Sequence, residues 1–141
     1  MPIISKTGGL INRIMRQNIS SNTIWEEKIG YSRAVRVGNI IEVSGTTAVD
    51  GDKIVGKDNI YEQTKFIFLK IEKALNEAGA GLKDVVRTRM YVKDISQSEI
   101  VGDAHYEFFT EIKPAASMIE VKGFIHPDLL VEIEVTAVIS Q

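Results

Sequence analysis

Cysteine is absent from all 141 positions of the chain. This absence excludes disulfide bonds, thiol nucleophiles and cysteine-ligated metals, and it fits an intracellular protein without proving one. Histidine is scarce as well, because the chain has only His105 and His126, whose spacing matches no metal-binding motif. We therefore expect no metal site and no cofactor.

The chain also lacks a long apolar run and a basic field. No apolar stretch approaches the length of a membrane span, and the short runs before Arg13 are too weak for a signal peptide. Seventeen Lys and Arg residues against nineteen Asp and Glu residues give a formal charge of −2, which does not favour nucleic-acid binding. The composition predicts no membrane partner, no nucleic-acid partner and, by default, a cytoplasmic location.

The apolar residues that are present suffice for one core. A hydrophobic fraction of 44% over 141 residues is ordinary for a single globular domain. Residues 1–25 are the least patterned part of the chain, and they include the loop-rich stretch Asn18–Thr23. We expect residues 1–25 to be an N-terminal extension that could be partly disordered, with Trp25 packed on the surface, and residues 26–141 to form the domain.

Alternating patterns predict five main strands and a short edge strand at residues 53–55. Residues 31–38 and 39–45 form a predicted hairpin that turns at Gly38-Asn39. In the third strand, Val85–Lys93, we assign Val86, Thr88, Met90 and Val92 to one face. Two further strands are predicted after Pro114, at Ser117–Val121 and Leu130–Ile139.

A period of 3.6 residues predicts two helices. Asn59 with Glu62 resembles a capping box, and the apolar stripe of this first helix runs to Ala78. Ser96 with Glu99 predicts the start of the second helix, which ends before Pro114. The order β-β-(β)-α-β-α-β-β predicts an α+β domain with two helices packed on one face of a sheet.

The opposite face of the sheet is predicted to be polar and charged. Strand parity assigns to it Glu42, Ser44, Arg87, Arg89, Tyr91, Glu120, Glu132, Glu134 and Thr136. Two interpretations stay open from the pattern alone. This face is either a solvated surface laced with ion pairs, or a subunit interface at which several copies of the chain enclose polar clefts.

Several motifs taken together resemble the Rid (YjgF) family of reactive-intermediate deaminases. They are GYSRAVRVGNIIEVSG, LNEAGAGLKDVVRTRMYVKDI, YEFF, PAAS and VEIEVTAV, and they extend from about Tyr31 to Val138. The resemblance implies a chorismate-mutase-like α+β fold and a homotrimer with a cleft between each pair of subunits. It also implies hydrolysis of 2-imino acids, or their enamine tautomers, to 2-keto acids and ammonia. Some family members are described instead as endoribonucleases or translation inhibitors.

The resemblance also implies a set of site residues. Tyr31 and Ser44 line the cleft, and the Gly45 N–H helps to hold the substrate carboxylate. Glu132 orients the attacking water as the catalytic residue. Asp103 stands where the family often has asparagine, and Met118 belongs to the core or the cleft wall.

One position departs from the family pattern. The deaminases have arginine within Pro-Ala-Arg-Ser, where a guanidinium can bind a carboxylate bidentately. This chain has Ala116 there, which can donate nothing, so it represents a subgroup without that arginine. We therefore expect either a hydrolase with an altered carboxylate or imine substrate, or a non-catalytic ligand-binding trimer.

Two further hypotheses follow from the charged residues. Arg89 shares a sheet face with Glu132 by parity, so it is either a substitute ligand cation or a structural ion-pair partner of Glu132 or Glu134. The sequence shows no paired histidines and no Lys–His constellation for phosphodiester cleavage, so endoribonuclease activity is kept only as an alternative.

Overall fold

The computed structural model describes residues 15–140. Eight strands and three α-helices are present in this range, together with two short 3-10 turns, Leu82–Asp84 and Ile95–Gln97. The strands are β1 (Arg16–Ile19), β2 (Ala34–Val37), β3 (Ile40–Thr46), β4 (Val49–Asp50), β5 (Lys53–Ile54), β6 (Val85–Val92), β7 (Ala115–Glu120) and β8 (Val131–Val138); the helices are α1 (Ile24–Ile29), α2 (Ile60–Glu77) and α3 (Ser98–Phe109).

Six of these strands form one sheet in the order β1-β2-β3-β8-β6-β7. Every neighbouring pair is antiparallel except β6 and β7, which run parallel because α3 connects them. The strands β4 and β5 form a separate two-stranded hairpin. The predicted α+β class is confirmed, with α1 as a third, short helix that the sequence patterns did not indicate.

The hairpin of β2 and β3 folds as the turn signal predicts. Gly38 adopts φ +62°, a conformation that glycine reaches without steric cost, and Ala34 pairs with Val43 across the strands. In β3, Ile41 and Val43 are buried beneath the helices. Glu42 and Ser44 therefore lie on the other face, as predicted.

Helix α2 begins and packs as its sequence indicates. The side chain of Asn59 accepts a hydrogen bond from the backbone N–H of Glu62 at 3.0 Å, which satisfies one of the free donors of the first turn. Every member of the predicted stripe is buried: Ile60, Thr64, Ile67, Phe68, Ile71, Leu75 and Ala78. Gly79 then ends the helix at φ +88°.

Helix α3 starts differently from the prediction. The side chain of Asp94 caps the preceding 3-10 turn by accepting from the Ser96 N–H at 3.0 Å, so the Ser96–Glu99 capping box was wrong. This extra turn delays the helix to Ser98 and rotates its apolar stripe. As a result Ile100, which we placed in the stripe, is 41% exposed, whereas Phe109 is buried as expected.

Two residues on the strands point away from their predicted faces. A register shift between Val85 and Arg87 forms a bulge in β6, which leaves Val86 exposed and puts Val85 in the core. In β7, Glu120 pairs with the buried Val92 and accepts from the Ile95 N–H at 3.0 Å. Glu120 thus lies on the helix side of the sheet, not on the polar face.

Part of the predicted N-terminal extension belongs to the sheet. Strand β1 pairs with β2, with Ile19 opposite Ala34, and α1 follows with its first turn capped by Thr23. The buried Glu26 accepts hydrogen bonds from Ser20 and Ser21, which ties the start of α1 to the end of β1. Residues 1–14 of the predicted extension lie outside the described residues.

The core fills the space between the sheet and helices α2 and α3. His105 is packed there, with its Nε2 2.9 Å from the hydroxyl of Thr88 and its ring against Phe68 and Phe109. No helix within residues 15–140 is both long and apolar enough to cross a membrane. Because both long helices cover the same face, the polar face of the sheet is left open in the single chain.

Candidate functional site

A pocket of about 910 Å³ opens beside α1 at the polar face of the sheet. It brings together four of the residues predicted for the site, namely Tyr31, Ser44, Gly45 and Glu132. These come from three separate parts of the chain: the approach to β2, the end of β3, and the start of β8. The resemblance grouped them, and the folded chain places them around one cavity.

The carboxylate of Glu132 lies directly against the backbone of Gly45. A bulge in β3 sets Ser44 and Gly45 together opposite the single residue Glu134 of β8, which brings Gly45 close to the side chain of Glu132. A Cβ atom at position 45 would lie 2.3 Å from Oε2 of Glu132. Because glycine has no Cβ, Gly45 leaves room for the carboxylate of Glu132 in this position.

The pKa of Glu132 is raised above the ordinary value of a glutamate. Burial is the largest cause, because it removes water from the ionised form, and the nearby negative charge of Glu134 adds to it. The positive charge of Arg33 acts in the opposite direction. A carboxylate with a raised pKa is a stronger proton acceptor than an ordinary glutamate, which suits it to acid–base chemistry.

Ser44 and Tyr31 have separate roles in the wall of the pocket. The hydroxyl of Ser44 donates to the carbonyl oxygen of Ser32 at 2.6 Å, so its proton is already used and it faces a ligand as an acceptor. No triad-like arrangement for a nucleophilic serine is therefore supported. The Tyr31 side chain is exposed at the mouth, and its backbone N–H donates to the carbonyl of Glu26 at 3.1 Å.

Arg33 is a pocket residue that the sequence analysis missed. Its Nη2 donates to the carbonyl of Gly45 at 3.2 Å and its Nη1 to the hydroxyl of Thr46 at 3.4 Å, while its guanidinium carbon lies 5.8 Å from the centre of the Tyr31 ring. The Nε atom is buried without a hydrogen-bond partner. Strand parity could have found this residue, because position 33 alternates onto the same face as Val35, the partner of Glu42.

Lys70 is a second cation of the pocket that the sequence analysis missed. Its Nζ donates to the carbonyls of Thr47 at 3.0 Å and Val49 at 2.8 Å, which connects α2 to the chain after β3. Burial lowers the pKa of Lys70 to about 8, and the positive charge of Arg33 contributes. The sequence held one signal for the burial of Lys70, namely its position next to Ile71 of the buried stripe of α2.

The remaining wall of the pocket is largely apolar. Ile24, Trp25 and Ile29 of α1 contribute on one side, and Ile125 on the other. Trp25 is 49% exposed, so it is a surface residue as expected and also a wall of the pocket. His126 lines the pocket too, and its Nδ1 accepts from the Asp128 N–H at 3.0 Å.

Three predicted site residues lie away from this pocket in the single chain. Ala116 and Met118 of β7 pair with Thr88 and Met90, both of which are buried on the helix side. Met118 accordingly packs against the core. Asp103 is exposed on α3. In the single chain, the predicted site residues therefore form two separate groups, one around Glu132 and one on α3 and β7.

Arg89 lies on the polar face, as parity predicts, but its contacts are with other strand residues. Its Nε is 3.9 Å from a carboxylate oxygen of Glu134, and its Nη1 donates to the hydroxyl of Thr136 at 3.3 Å. The hydroxyl of Tyr91 donates to the same carboxylate at 2.9 Å. These contacts favour the structural interpretation of Arg89 over the role of ligand cation.

Within residues 15–140, no group of three or more carboxylates and histidines is arranged to hold a metal ion. The pocket offers the carboxylates of Glu26, Asp52 and Glu132, two cations, a hydroxyl acceptor and an apolar wall.

The fold and the site define a class: a small α+β protein with a pocket of ligand size on the polar face of its sheet. The family model described as Endoribonuclease L-PSP matches residues 25–139. An uncharacterised protein of Streptomyces coelicolor is 39% identical over 121 residues, 86% of this chain and 90% of its own. The 3-aminoacrylate deaminase RutC of Acinetobacter baylyi is 31% identical over 104 residues, 73% of this chain and 82% of its own.

Solved structures agree with these sequence comparisons. A YjgF-family protein of Mycobacterium tuberculosis superposes with a TM-score of 0.82 and 46% identity, covering 89% of this chain and all of the other. A Rid-family protein of unknown function from Yersinia pestis gives 0.78 and 28%, with the same coverage. This chain belongs to the Rid (YjgF) family, as its motifs indicate.

Proposed function

We propose that this protein hydrolyses the C=N bond of a small imine, or of the enamine that is its tautomer, with a water molecule positioned by Glu132. The observation that carries the proposal is the carboxylate of Glu132, half-buried against Gly45 in a pocket of ligand size, with its pKa raised by burial. The 3-aminoacrylate deaminase among its relatives supports the same class of reaction.

The reaction needs one proton acceptor that later acts as a donor. Starting from the protonated imine, Glu132 accepts a proton from water as the oxygen attacks the imine carbon, which gives a neutral carbinolamine. Glu132 returns this proton to nitrogen, and it then takes the proton of the carbinolamine hydroxyl as the C–N bond breaks and the carbonyl product forms. The released ammonia takes that proton from Glu132 and leaves as ammonium. The raised pKa assists both halves, because the group is basic enough to take the proton and acidic enough to give it back.

We also propose that the complete site forms between copies of the chain in a homotrimer. The separation of Asp103, Ala116 and Met118 from the Glu132 pocket supports this, since a neighbouring copy could bring α3 and β7 to the pocket. The open, charged face of the sheet offers a surface for such association. Size-exclusion chromatography with light scattering tests it: a monomer at micromolar concentration would exclude the shared site.

The substrate is expected to differ from that of relatives with Pro-Ala-Arg-Ser, because Ala116 has no donor. The test is ammonia release from freshly generated 2-iminobutanoate, compared between the wild type and Glu132→Gln. A wild-type rate above buffer that Glu132→Gln loses supports the proposal. A wild-type rate equal to buffer leaves the alternative of a ligand-binding protein without catalysis, which a measured affinity for the product acid would favour.

A second candidate function is cleavage of RNA. The sequence analysis saw no Lys–His constellation, but the fold brings Lys70 and His126 to the pocket that contains Glu132. These groups could bind and cleave a phosphodiester by acid–base catalysis. RNA cleavage that survives rigorous removal of contaminating nucleases and disappears in both Glu132→Gln and His126→Ala would favour it over imine hydrolysis.

A further inference from the structure

The pocket contains a guanidinium that lies outside the Pro-Ala-Ala-Ser segment. We propose that Arg33 binds the carboxylate of the ligand, in place of the guanidinium that Ala116 cannot supply. The inference rests on the proposed function, because it assigns the residue that binds the substrate carboxylate in the same pocket.

The hydrogen bonds of Arg33 leave donors available for a ligand. A guanidinium has five N–H groups, and the protein uses one on Nη2 for the Gly45 carbonyl and one on Nη1 for the Thr46 hydroxyl. Each Nη atom therefore keeps one N–H, and a carboxylate bound end-on takes two such donors together. The two protein contacts hold the planar group in place, so less side-chain freedom is lost when the ligand binds.

The position of Arg33 relative to Glu132 fits a ligand between them. The charges of the two side chains interact, since Arg33 lowers the pKa of Glu132. Among residues 15–140, however, Arg33 and Glu132 form no direct ion pair. A carboxylate on Arg33 would thus leave the adjacent C=N carbon facing the carboxyl group of Glu132, on the Gly45 side of the pocket.

A second cation lies beside Arg33 in a pocket that the carboxylates of Glu26, Asp52 and Glu132 also line. Lys70 lines the same pocket, and the mutual repulsion of the two cations contributes to the lowered pKa of Lys70. The Nζ of Lys70 contacts only neutral carbonyls at hydrogen-bond distance. An anionic group placed between them would relieve this repulsion. Arg89 is less suited to the task, because Glu134 already lies against it.

The test measures binding of 2-oxobutanoate, a stable carboxylate of product type, to the full chain by isothermal titration calorimetry at pH 7. Arg33→Gln is expected to raise Kd about 10- to 100-fold, the range for loss of a charge-assisted bidentate contact. Arg33→Lys keeps the positive charge but loses the bidentate geometry of the guanidinium, so its Kd should lie between those of the wild type and Arg33→Gln. The matched control is Arg36→Gln, three residues further along the chain on β2, where the guanidinium donates to the Gly38 and Ala78 carbonyls; its Kd should stay within about twofold.

A second measurement needs no variant, which keeps the test decisive if Arg33→Gln fails to fold. Wild-type protein should bind 2-oxobutanoate at least about tenfold more tightly than the uncharged 2-oxobutanamide. Equal affinity for the acid and the amide would overturn the assignment. So would an Arg33→Gln variant that melts like the wild type and binds the acid as tightly.

The variants also separate this inference from the proposed function. Glu132→Gln should keep 2-oxobutanoate binding and lose ammonia release. If Glu132→Gln releases ammonia at the wild-type rate, the hydrolytic role of Glu132 fails while the Kd data still support Arg33. If Arg33→Gln binds 2-oxobutanoate like the wild type while Glu132→Gln is inactive, the assignment of Arg33 fails and the hydrolytic role of Glu132 is still supported.

Discussion

Two charged regions of the molecule carry similar residues but differ in how their charges are paired. In the first, which we call the paired region, Arg89 lies against Glu134, Tyr91 donates to Glu134, and Thr136 donates to Glu42 at 2.6 Å. In the second, the pocket, Arg33, Lys70 and Glu132 form no ion pair with any residue of the described range 15–140. Both regions lie next to strands of the sheet, and they differ in whether a charged side chain contacts an opposite charge.

The difference indicates which charged residues are available for chemistry. A paired, half-exposed charge contributes little and is screened by solvent. A charge that is buried without a partner shifts a pKa, and the folded state retains it at a cost in stability. A ligand can supply the missing partner, which supports our proposal that the chemistry takes place in the pocket and not in the paired region.

The largest effect is expected for Glu132→Gln. This change removes the proton acceptor and should lower kcat for imine hydrolysis by about 10²- to 10⁴-fold. Because the folded-state pKa of Glu132 is raised, its ionised form costs stability above the unfolded pKa, so the variant should melt at the same temperature or up to about 4 °C higher. A loss of activity accompanied by a lower melting temperature would contradict the comparison.

Gly45→Ala should come next. The added methyl group would overlap Oε2 of Glu132, so the carboxylate must move. Because the overlapping atoms are the end of a flexible side chain beside the pocket, the free energy of unfolding should fall by no more than about 1 kcal/mol. We expect kcat/KM to fall by at least about tenfold because the catalytic carboxylate is displaced. The matched control is Gly102→Ala on α3, where a Cβ meets nothing within 4 Å. Equal effects at both positions would contradict the role given to Gly45.

The pH dependence of binding tests Lys70. Its pKa of about 8 predicts that a carboxylate ligand binds less tightly as the pH rises from 7 to 9, by about 2- to 10-fold, since one positive charge is lost. Lys70→Arg should remove this dependence. Stability should change with the opposite sign: between pH 8 and 10.5 the unfolded chain holds more protons at this site, so the folded state gains stability with rising pH.

The smallest effect is expected in the paired region. Arg89→Gln removes an ion pair whose two side chains are 37% and 35% exposed, so the free energy of unfolding should drop by no more than about 1 kcal/mol. The increase in Kd for 2-oxobutanoate should be smaller than that caused by Arg33→Gln. Chemical denaturation and calorimetry on the two variants check this, and a larger effect at Arg89 would reverse the ranking of the two regions.

Much of the fold could be predicted because local patterns and tertiary packing agree. The stripe of α2 and the cap at Asn59 are local features, and each appears where the pattern indicates. The failures are at irregularities. The bulge at Val86 and the extra 3-10 turn before α3 depend on hydrogen bonds that shift the register by about one residue, which periodicity alone does not reveal.

The site was less accessible to sequence reasoning. Tyr31, Ser44, Gly45 and Glu132 came from the family resemblance, and they do share a pocket. Arg33 lies within the motif GYSRAVRVGNIIEVSG but was given no role there, and Lys70 lies in none of the motifs; each looks like an ordinary surface cation along the chain. Their importance depends on what surrounds them in space, and no local pattern contains that information.

The sequence by itself determined the alternation within strands, the helix caps and the turns, because these depend on neighbours a few residues apart. It also determined the motifs that identify the family. The tertiary structure alone decided which charges are paired. Arg89 and Arg33 are both arginines near strands of the same sheet. The register of β6 against β8 places Arg89 opposite the carboxylate of Glu134, whereas the bulge at Gly45 leaves Arg33 facing the pocket. Electrostatic energy depends on distance and burial, which are properties of the folded chain.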